Sequence, residues 1–145
     1  MKPRYLLAAA ALFASMSAHA VPDEDVVQEM ARRTRLSSSE IRRNYDACDS
    51  GVTLAMKICG GYRLTEQELR LKNVYKKVQA KAKEAGHEAS LAKAEKAWLA
   101  YRNAACAFEG KMGAGGGTAE GLYALSCRED LTKQRAERLE ASIGE

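Results

Sequence analysis

Residues 91–108 read LAKAEKAWLAYRNAACAF, and their apolar side chains recur in alternating steps of three and four positions. The residues that share this spacing are Leu91, Ala94, Trp98, Tyr101, Ala105 and Phe108. This period places them along one side of an α-helix of about twenty residues, so we expect that side to face a core. The many alanine, lysine and glutamate residues of the stretch also favour a helix over a strand.

The rest of the chain continues the helical pattern. No proline follows Pro22, and valine and isoleucine are scarce, which argues against a sheet. A second stripe contains Leu71, Val74, Tyr75, Val78 and Ala82. It ends at Gly86, so two antiparallel helices joined by a tight turn at Gly86 and His87 are predicted. The expected fold class is all-α, a small antiparallel helical bundle or hairpin domain.

Shorter helices are predicted on either side of this pair. Residues 23–35 begin with acids and end with arginines, the charge order that a helix dipole favours. Ser37 and Glu40 have the spacing of a capping box, so a helix to about Ala47 follows. We expect another short helix over 52–59 that ends at Gly60 and Gly61. The next helix would begin at Thr65 and Glu68, a second capping-box pattern. A last helix runs from about residue 118 or 122 to Ser142, before Gly144.

The N-terminal twenty residues have the three parts of a secretory signal peptide. Lys2 and Arg4 are basic, residues 5–13 are apolar, and Ala18 and Ala20 are the small residues that a signal peptidase recognises. A membrane anchor needs about 20 apolar residues, more than this run contains. We therefore expect cleavage near Ala20 and a periplasmic or secreted protein without a membrane span. An N-terminal segment (21–35) and a helical domain (36–145) would remain.

Four cysteines belong to this exported part, and an oxidising compartment favours disulfides. Three connectivities are possible for Cys48, Cys59, Cys106 and Cys127. We expect Cys48 to pair with Cys59 and Cys106 with Cys127, because each bond closes a short loop that a helical hairpin could bring together. Much of the apolar content is alanine, so the bulky core is thin and the two bonds should contribute to stability.

Charge and composition exclude several functions. The formal charge is +4 for the whole chain and +2 without residues 1–20, which contain Lys2 and Arg4. Such balance argues against nucleic-acid binding. The exported part has one histidine, His87, in a predicted turn, and no CxxC pair, so neither a histidine-activated nucleophile nor a zinc site is expected. We predict a protein that is not an enzyme and uses no metal and no cofactor.

Several motifs occur together in the order of a known family. They are Cys48 and Cys59, Leu71 to Tyr75, Trp98-x-x-Tyr101-Arg102-x-x-x-Cys106, Gly116-Gly117-Thr118, Cys127, and Thr132-x-x-Arg135-x-x-x-Leu139. From about Leu36 to Leu139 the chain resembles the lysozyme inhibitor LprI-like N-terminal domain family. Two positions depart from the usual pattern: Glu95 stands where glutamine is common, and Lys72 separates Leu71 from Asn73. Both positions lie in the two helices predicted on either side of Gly86, so the departures concern how those two helices contact each other.

The resemblance implies an exported helical domain, and the family name implies inhibition of lysozyme. On this basis the chain is expected to bind a protein, a lysozyme or a related peptidoglycan hydrolase, by occluding its cleft. The alternative is an envelope interaction or immunity protein with a different partner and no lysozyme inhibition. An enzyme would require an acid–base pair among Glu95, Glu109 and Asp130.

The glycine-rich segment 110–117 is predicted to be a loop and is the candidate partner-binding site. A flexible tip anchored by Cys106 and Cys127 could enter a lysozyme cleft, which contains two catalytic carboxylates. The residues expected to make the contact are Glu109, Lys111, Met112, Gly115, Gly116, Gly117 and Thr118. A surface loop without a binding role is the structural alternative.

The other motif residues are expected to build the domain. They are Leu71, Tyr75, Trp98, Tyr101, Arg102, Thr132, Arg135 and Leu139. Trp98 shares a stripe with Leu91 and Phe108, so a place in the core is favoured over a ligand-binding role. Arg102 is expected to bind a helix carboxylate or carbonyl, and Thr132 and Arg135 to fix the last helix against its neighbours.

Overall fold

The computed structural model describes residues 21–143 and contains five α-helices and no strand in that range. The helices are α1 (Glu24–Thr34), α2 (Ser38–Asp46), α3 (Thr53–Glu84), α4 (Glu88–Ala114) and α5 (Glu120–Ala141), with a short 3-10 helix at Cys48–Ser50. The all-α class is confirmed, and so are both predicted disulfides, Cys48–Cys59 and Cys106–Cys127. The predicted signal peptide, residues 1–20, lies outside the described residues.

The first two helices begin at side chains that bind the helix backbone. The Asp23 carboxylate accepts a hydrogen bond from the backbone N–H of Asp25 at 2.8 Å. Ser37 and Glu40 form the predicted capping box: the backbone N–H of Glu40 donates to Ser37 Oγ at 3.3 Å, and that of Ser37 donates to Glu40 Oε2 at 2.8 Å. The hydrogen bond from the Ser37 hydroxyl lowers the pKa of the Glu40 carboxyl. These caps satisfy N–H groups that have no partner within the helix.

α1 and α2 pack on the first half of α3. Their shared core consists of Val26, Val27, Met30, Ile41, Ile58 and Tyr62. The ring centroids of Tyr45 and Tyr62 are 4.5 Å apart, and the Tyr62 hydroxyl accepts a hydrogen bond from the backbone N–H of Asp23 at 2.6 Å. The segment before residue 36 is therefore a packed helix, a point that the sequence left open.

α3, α4 and α5 form the main bundle. The contacts that set their directions are Glu95 to Arg135 and Cys106 to Cys127 for α4 and α5, and Gly60 to Leu125 and Arg70 to Glu140 for α3 and α5. α4 consequently runs antiparallel to α5, whereas α3 and α5 are parallel. The buried residues of this second core are Leu71, Val74, Val78, Ala136 and Leu139. Its apolar layer continues into Tyr75, Leu91 and Trp98, which are partly buried.

The predicted break at Gly60 and Gly61 is wrong, because both glycines lie inside the 32-residue helix α3. A Cβ on Gly60 would lie 3.4 Å from Leu125 of α5, and one on Gly61 would lie 3.4 Å from Met30 of α1. Neighbours approach α3 closely here from two directions, so tertiary packing holds these residues in the helix. Thr65, predicted to cap a new helix, is buried and donates a hydrogen bond to the carbonyl of Gly61 at 2.8 Å.

The predicted core position of Tyr101 is also wrong, since Tyr101 is 60% exposed, and Phe108 on the same stripe is 64% exposed. The buried residues of α4 are instead Arg102, Cys106 and Gly110. α4 packs chiefly on α5, so only a narrow strip of its surface is covered. The apolar stripe that marks α4 as a helix therefore faces away from the bundle along part of its length.

Candidate partner-binding site

The predicted loop 110–117 is helical over its first half, because α4 continues to Ala114. The chain then turns at Gly115 and Gly116, whose φ angles are 56° and 86°. Residues other than glycine rarely adopt such angles, so these two positions favour glycine. The backbone N–H of Gly117 donates to the carbonyl of Ala114 at 3.1 Å and closes the turn. We call residues 109–123 the α4–α5 tip.

Glycines also let α4 and α5 approach each other below the turn. A Cβ on Gly110 would lie 2.9 Å from the backbone oxygen of Glu120, and one on Gly113 would lie 2.8 Å from the ring of Tyr123. Real Cβ contacts are essentially never that short, so neither glycine can be replaced without a shift. The tip is therefore a compact helix end in place of the flexible loop expected from its composition.

The residues expected to contact a partner all lie at the surface of this tip. Glu109, Lys111, Met112, Gly115, Gly116, Gly117 and Thr118 are exposed. Met112 is 68% exposed, and Tyr123, whose ring rests on Gly113, is 50% exposed. Tyr123 was not among the residues predicted from the sequence, because its place at the tip depends on the contact between α5 and Gly113 of α4. Two large apolar side chains thus border a polar turn.

A disulfide holds the two helices of the tip together. Cys106 is fully buried and bonded to Cys127, and the two Cα atoms are 5.4 Å apart. The bond spans a sequence separation of 21 residues that contains the turn and the whole tip. Because the ends of the segment are joined covalently, the exposed groups of the tip have little freedom to move relative to one another.

Arg102 is the centre of a polar network between the helices. Its Nη1 donates to Glu68 Oε1 of α3 and to the Thr132 hydroxyl of α5, at 3.0 Å in both cases. Glu68 also forms an ion pair with Arg33 of α1. Arg102 is 9% exposed and Thr132 is fully buried, whereas Arg33 is exposed, so the network connects four helices from the interior to the surface.

Two guanidinium groups lie over the ring of Trp98. The Cζ atoms of Arg102 and Arg135 are 5.2 Å and 5.7 Å from its ring centroid. Arg135 also pairs with Glu95 of α4 at 3.0 Å, and both side chains are mostly buried. This cation–π arrangement and the ion pair fix α5 against α4. The sequence analysis did not identify Glu68 and Glu95 as partners, because their arginines lie 34 and 40 positions away.

The remaining predicted core residues lie within the bundle. Leu71 and Leu139 are buried, Tyr75 is half-buried, and all three belong to the second core. Within residues 21–143, no three or more His, Cys, Asp and Glu side chains are grouped so that they could hold a metal ion. In the same range no helix combines the length and the apolar character that crossing a membrane requires.

The fold and tip define a disulfide-bonded helical domain whose tip is exposed. The family described as Lysozyme inhibitor LprI matches residues 45–139, which is more than half of the chain. The protein therefore belongs to the LprI family. Searches of curated proteins and of solved structures found no match. The family match includes α3, α4, the tip and α5 as far as Leu139, whereas α1 lies outside it.

Proposed function

We propose that this protein binds and inhibits a lysozyme or a related peptidoglycan hydrolase, and that the α4–α5 tip occludes the cleft of the enzyme. The observation that carries the proposal is the match to a lysozyme inhibitor family over residues 45–139, a range that includes the complete tip. A family described by inhibition of another enzyme also supports a binding role over a catalytic one.

The chemistry of the tip fits this role. Met112 and Tyr123 are large exposed side chains, and buried apolar or aromatic side chains supply most of the energy in protein interfaces. Lys111 is exposed beside Met112, so an inserted tip would bring a cation toward the two carboxylates of a glycosidase cleft. The disulfide and the close helix packing hold these groups in place before binding, which reduces the entropy that binding loses.

Export is part of the proposal. Residues 1–20 have the sequence of a signal peptide, with cleavage near Ala20, and residues 21–143 contain two disulfides, which persist in oxidising compartments. A periplasmic or secreted protein would meet peptidoglycan hydrolases there. An immunity or envelope interaction protein would occupy the same compartment, so the compartment does not distinguish the two partners.

A lytic assay tests the proposal directly. Oxidised residues 21–145 are titrated from nanomolar to micromolar concentration against c-, g- and i-type lysozymes and a lytic transglycosylase. We expect inhibition of at least one enzyme that saturates near one-to-one. Absence of inhibition in all four assays would reject the lysozyme proposal and favour a different envelope partner.

Substitutions at the tip test the mechanism. Met112→Ser and Lys111→Glu change exposed side chains, so each should weaken inhibition about tenfold or more. Met112→Ser should leave the unfolding temperature unchanged, whereas Lys111→Glu places an anion in the last turn of α4 and should lower it slightly. Leu54→Ser is a matched control, because Leu54 is 56% exposed on α3 and lies outside the tip. If the control weakens inhibition as much as Met112→Ser does, the tip is not the inhibitory element.

A further inference from the structure

A groove separates α3 and α4 on the surface of the main bundle. Both helices pack chiefly on α5 and have little contact with each other, and a space of about 420 Å³ remains between them. This size falls within the range of sites that bind small molecules. The groove residues of α3 lie between Glu68 and Lys76, and those of α4 lie between Glu95 and Arg102. We call this space the α3–α4 groove.

The apolar side chains of the α3–α4 groove form one short row. Leu71 is buried, Tyr75 is half-buried, and Leu99 is 38% exposed. Leu71 and Tyr75 lie about one turn apart on α3, and Leu99 lies on α4. From Glu68 to Lys76 the helix rises only about 12 Å, whereas a protein interface of ordinary size covers about 800 Å² on each partner. The groove therefore suits a small molecule with one unbranched apolar chain.

Two lysines without an ion-pair partner lie at the edge of the groove. Lys72 and Lys76 are exposed and line it, and no ion pair joins either lysine to a carboxylate of residues 21–143. Both lysines also line a second groove toward α1, which contains Asp25 and Glu29. Glu29 already pairs with two arginines of α1, so Asp25 alone remains there to offset two ammonium charges.

The two carboxylates that line the α3–α4 groove are held by arginines. Glu68 accepts a hydrogen bond from Arg102 at 3.0 Å and forms an ion pair with Arg33. Glu95 forms an ion pair with Arg135 at 3.0 Å. Neither carboxylate neutralises the two lysines at the edge. The groove therefore has an excess of positive charge, which attracts an anion.

Arg102 retains hydrogen-bond donors at one end of the groove. A guanidinium has five N–H groups. Nη1 of Arg102 donates to Glu68 and Thr132, whereas Nη2 donates one long hydrogen bond to Asn103 at 3.4 Å. The buried Nε has no acceptor in residues 21–143. Because an unsatisfied buried donor costs free energy, an anionic group in the groove would find an under-used guanidinium in its lining.

We propose that the α3–α4 groove binds a small amphiphilic carboxylate of the fatty-acid type. The carboxylate lies beside Lys72 at the Arg102 end of the groove. The chain runs over Leu71 and Leu99 toward Tyr75. The apolar row binds the chain, and the lysines and the guanidinium bind the anionic head group. The site is separate from the α4–α5 tip, because Leu99 lies about 15 Å from the start of the tip along α4.

Titration with three matched amphiphiles tests this proposal independently of lysozyme. Oxidised residues 21–145 are titrated with octanoate, octanol and octylamine, which share one alkyl chain and differ in the charge of the head group. We expect octanoate to bind at least about tenfold more tightly than the other two, since one lysine near a carboxylate contributes about fivefold in water. Equal binding of octanol or octylamine, or no saturation by octanoate at millimolar concentration, would overturn the proposal.

Removal of the two lysines tests the charge at the groove. Lys72→Gln with Lys76→Gln should weaken octanoate binding about tenfold. The matched control, Lys93→Gln with Lys133→Gln, removes the same charge from exposed lysines of α4 and α5 that do not line the groove. If the control loses as much affinity as the first variant, the proposal is wrong.

A change in the apolar row tests where the chain lies. Leu99→Ser should weaken octanoate binding about fivefold, because apolar surface is lost, whereas Leu54→Ser on an exposed part of α3 should not. In a methyl NMR spectrum, octanoate should shift the signals of Leu71 and Leu99 and leave that of Met112 unchanged. Shifts at Met112 without shifts at the two leucines would contradict a site in the groove.

The lysine variant also separates this site from the inhibitor proposal. The protein with Lys72→Gln and Lys76→Gln should inhibit a lysozyme as well as the unchanged protein does. If octanoate does not bind and these substitutions instead weaken inhibition, the groove contacts a protein and the amphiphile proposal is wrong. If inhibition fails in every lytic assay while octanoate binding depends on the two lysines, the amphiphile proposal stands without the inhibitor proposal.

Discussion

The sequence predicts a break in a helix at two glycine-rich regions, which are Gly60 and Gly61 in α3 and residues 110–117 at the end of α4. The structural roles of these two regions differ. Both are predicted to interrupt a helix, but α3 continues through the first region and α4 continues into the second as far as Ala114. A Cβ on Gly60 would meet Leu125 at 3.4 Å, a distance at which a side chain can adjust, whereas a Cβ on Gly110 would meet a backbone oxygen at 2.9 Å. A glycine in a helix therefore signals close packing as readily as a break.

Only the second region also makes a turn. Gly115 and Gly116 adopt positive φ angles, and a Cβ on either would meet nothing within 4 Å, so their role concerns the backbone conformation alone. Gly110 and Gly113 have the opposite role, since their backbone is helical and a Cβ would clash. One run of glycines thus combines a packing function and a turning function, which composition alone does not distinguish.

The largest expected effect in this comparison comes from the disulfide below the tip. Replacing Cys106 and Cys127 by alanine should lower the free energy of unfolding by about 3 kcal/mol, because the bond closes a 21-residue separation in the unfolded chain. Urea unfolding of residues 21–145 measures the loss. The same change at Cys48 and Cys59, separated by 11 residues, should cost about 0.5 kcal/mol less. A loss below about 1 kcal/mol at Cys106 and Cys127 would contradict the expected restriction of the unfolded chain.

Gly110→Ala should have the next largest effect and lower the free energy of unfolding by about 2 kcal/mol. The added methyl group would lie 2.9 Å from the backbone oxygen of Glu120 and 3.1 Å from the Cβ atom of Ala124. Thermal and urea unfolding would report it. Gly121→Ala is the matched control on α5, since a Cβ there meets only the flexible end of Lys57 at 3.8 Å. Equal stability of the two variants would mean that α4 and α5 are farther apart than described.

Gly113→Ala should lower the free energy of unfolding by about 1 kcal/mol, less than Gly110→Ala does. The added methyl group would contact the ring of Tyr123, which is half exposed. Rotation of that ring relieves the clash. A double-mutant cycle with Tyr123→Ala measures the coupling. The loss caused by Gly113→Ala should largely disappear when Tyr123 is absent; a loss that persists would show that the ring is not the contact.

Gly60→Ala should have the smallest effect and raise the free energy of unfolding by between zero and about 0.5 kcal/mol. Alanine favours a helix over glycine by about 1 kcal/mol, and the contact with Leu125 at 3.4 Å opposes part of that gain. Urea unfolding followed by circular dichroism measures the net change in the free energy of unfolding. A loss above about 1 kcal/mol would place Gly60 with Gly110 among the positions that tolerate no side chain.

The periodicity of the sequence predicted helices correctly but not which side of α4 faces the bundle. Arg102 and Tyr101 are adjacent, and the charged residue is the buried one. Glu68 and Thr132 accept hydrogen bonds from Nη1 of the buried Arg102, and those partners come from other helices. Tyr101 is exposed because no helix packs on that side of α4 within residues 21–143. No local pattern contains this information.

The candidate site was predictable in its position and only partly in its form. The glycines at 115–117 and the flanking cysteines indicated a turn tied by a disulfide, and the structure has both. Tyr123 at the tip and the helical state of residues 110–114 depend on how closely α4 approaches α5. That distance results from packing between segments that are remote in sequence.

The sequence by itself determined the all-α class, the LprI family, the two disulfide pairs and the turn between α4 and α5, because helical periodicity, cysteine spacing and glycine conformation act locally. Tertiary structure alone decided that α1 packs on α3, that helices continue through Gly60 and Gly110, and that Tyr101 and Phe108 of α4 stay exposed. The physical reason is that burial and close approach depend on which helices meet, whereas local propensity acts within one helix.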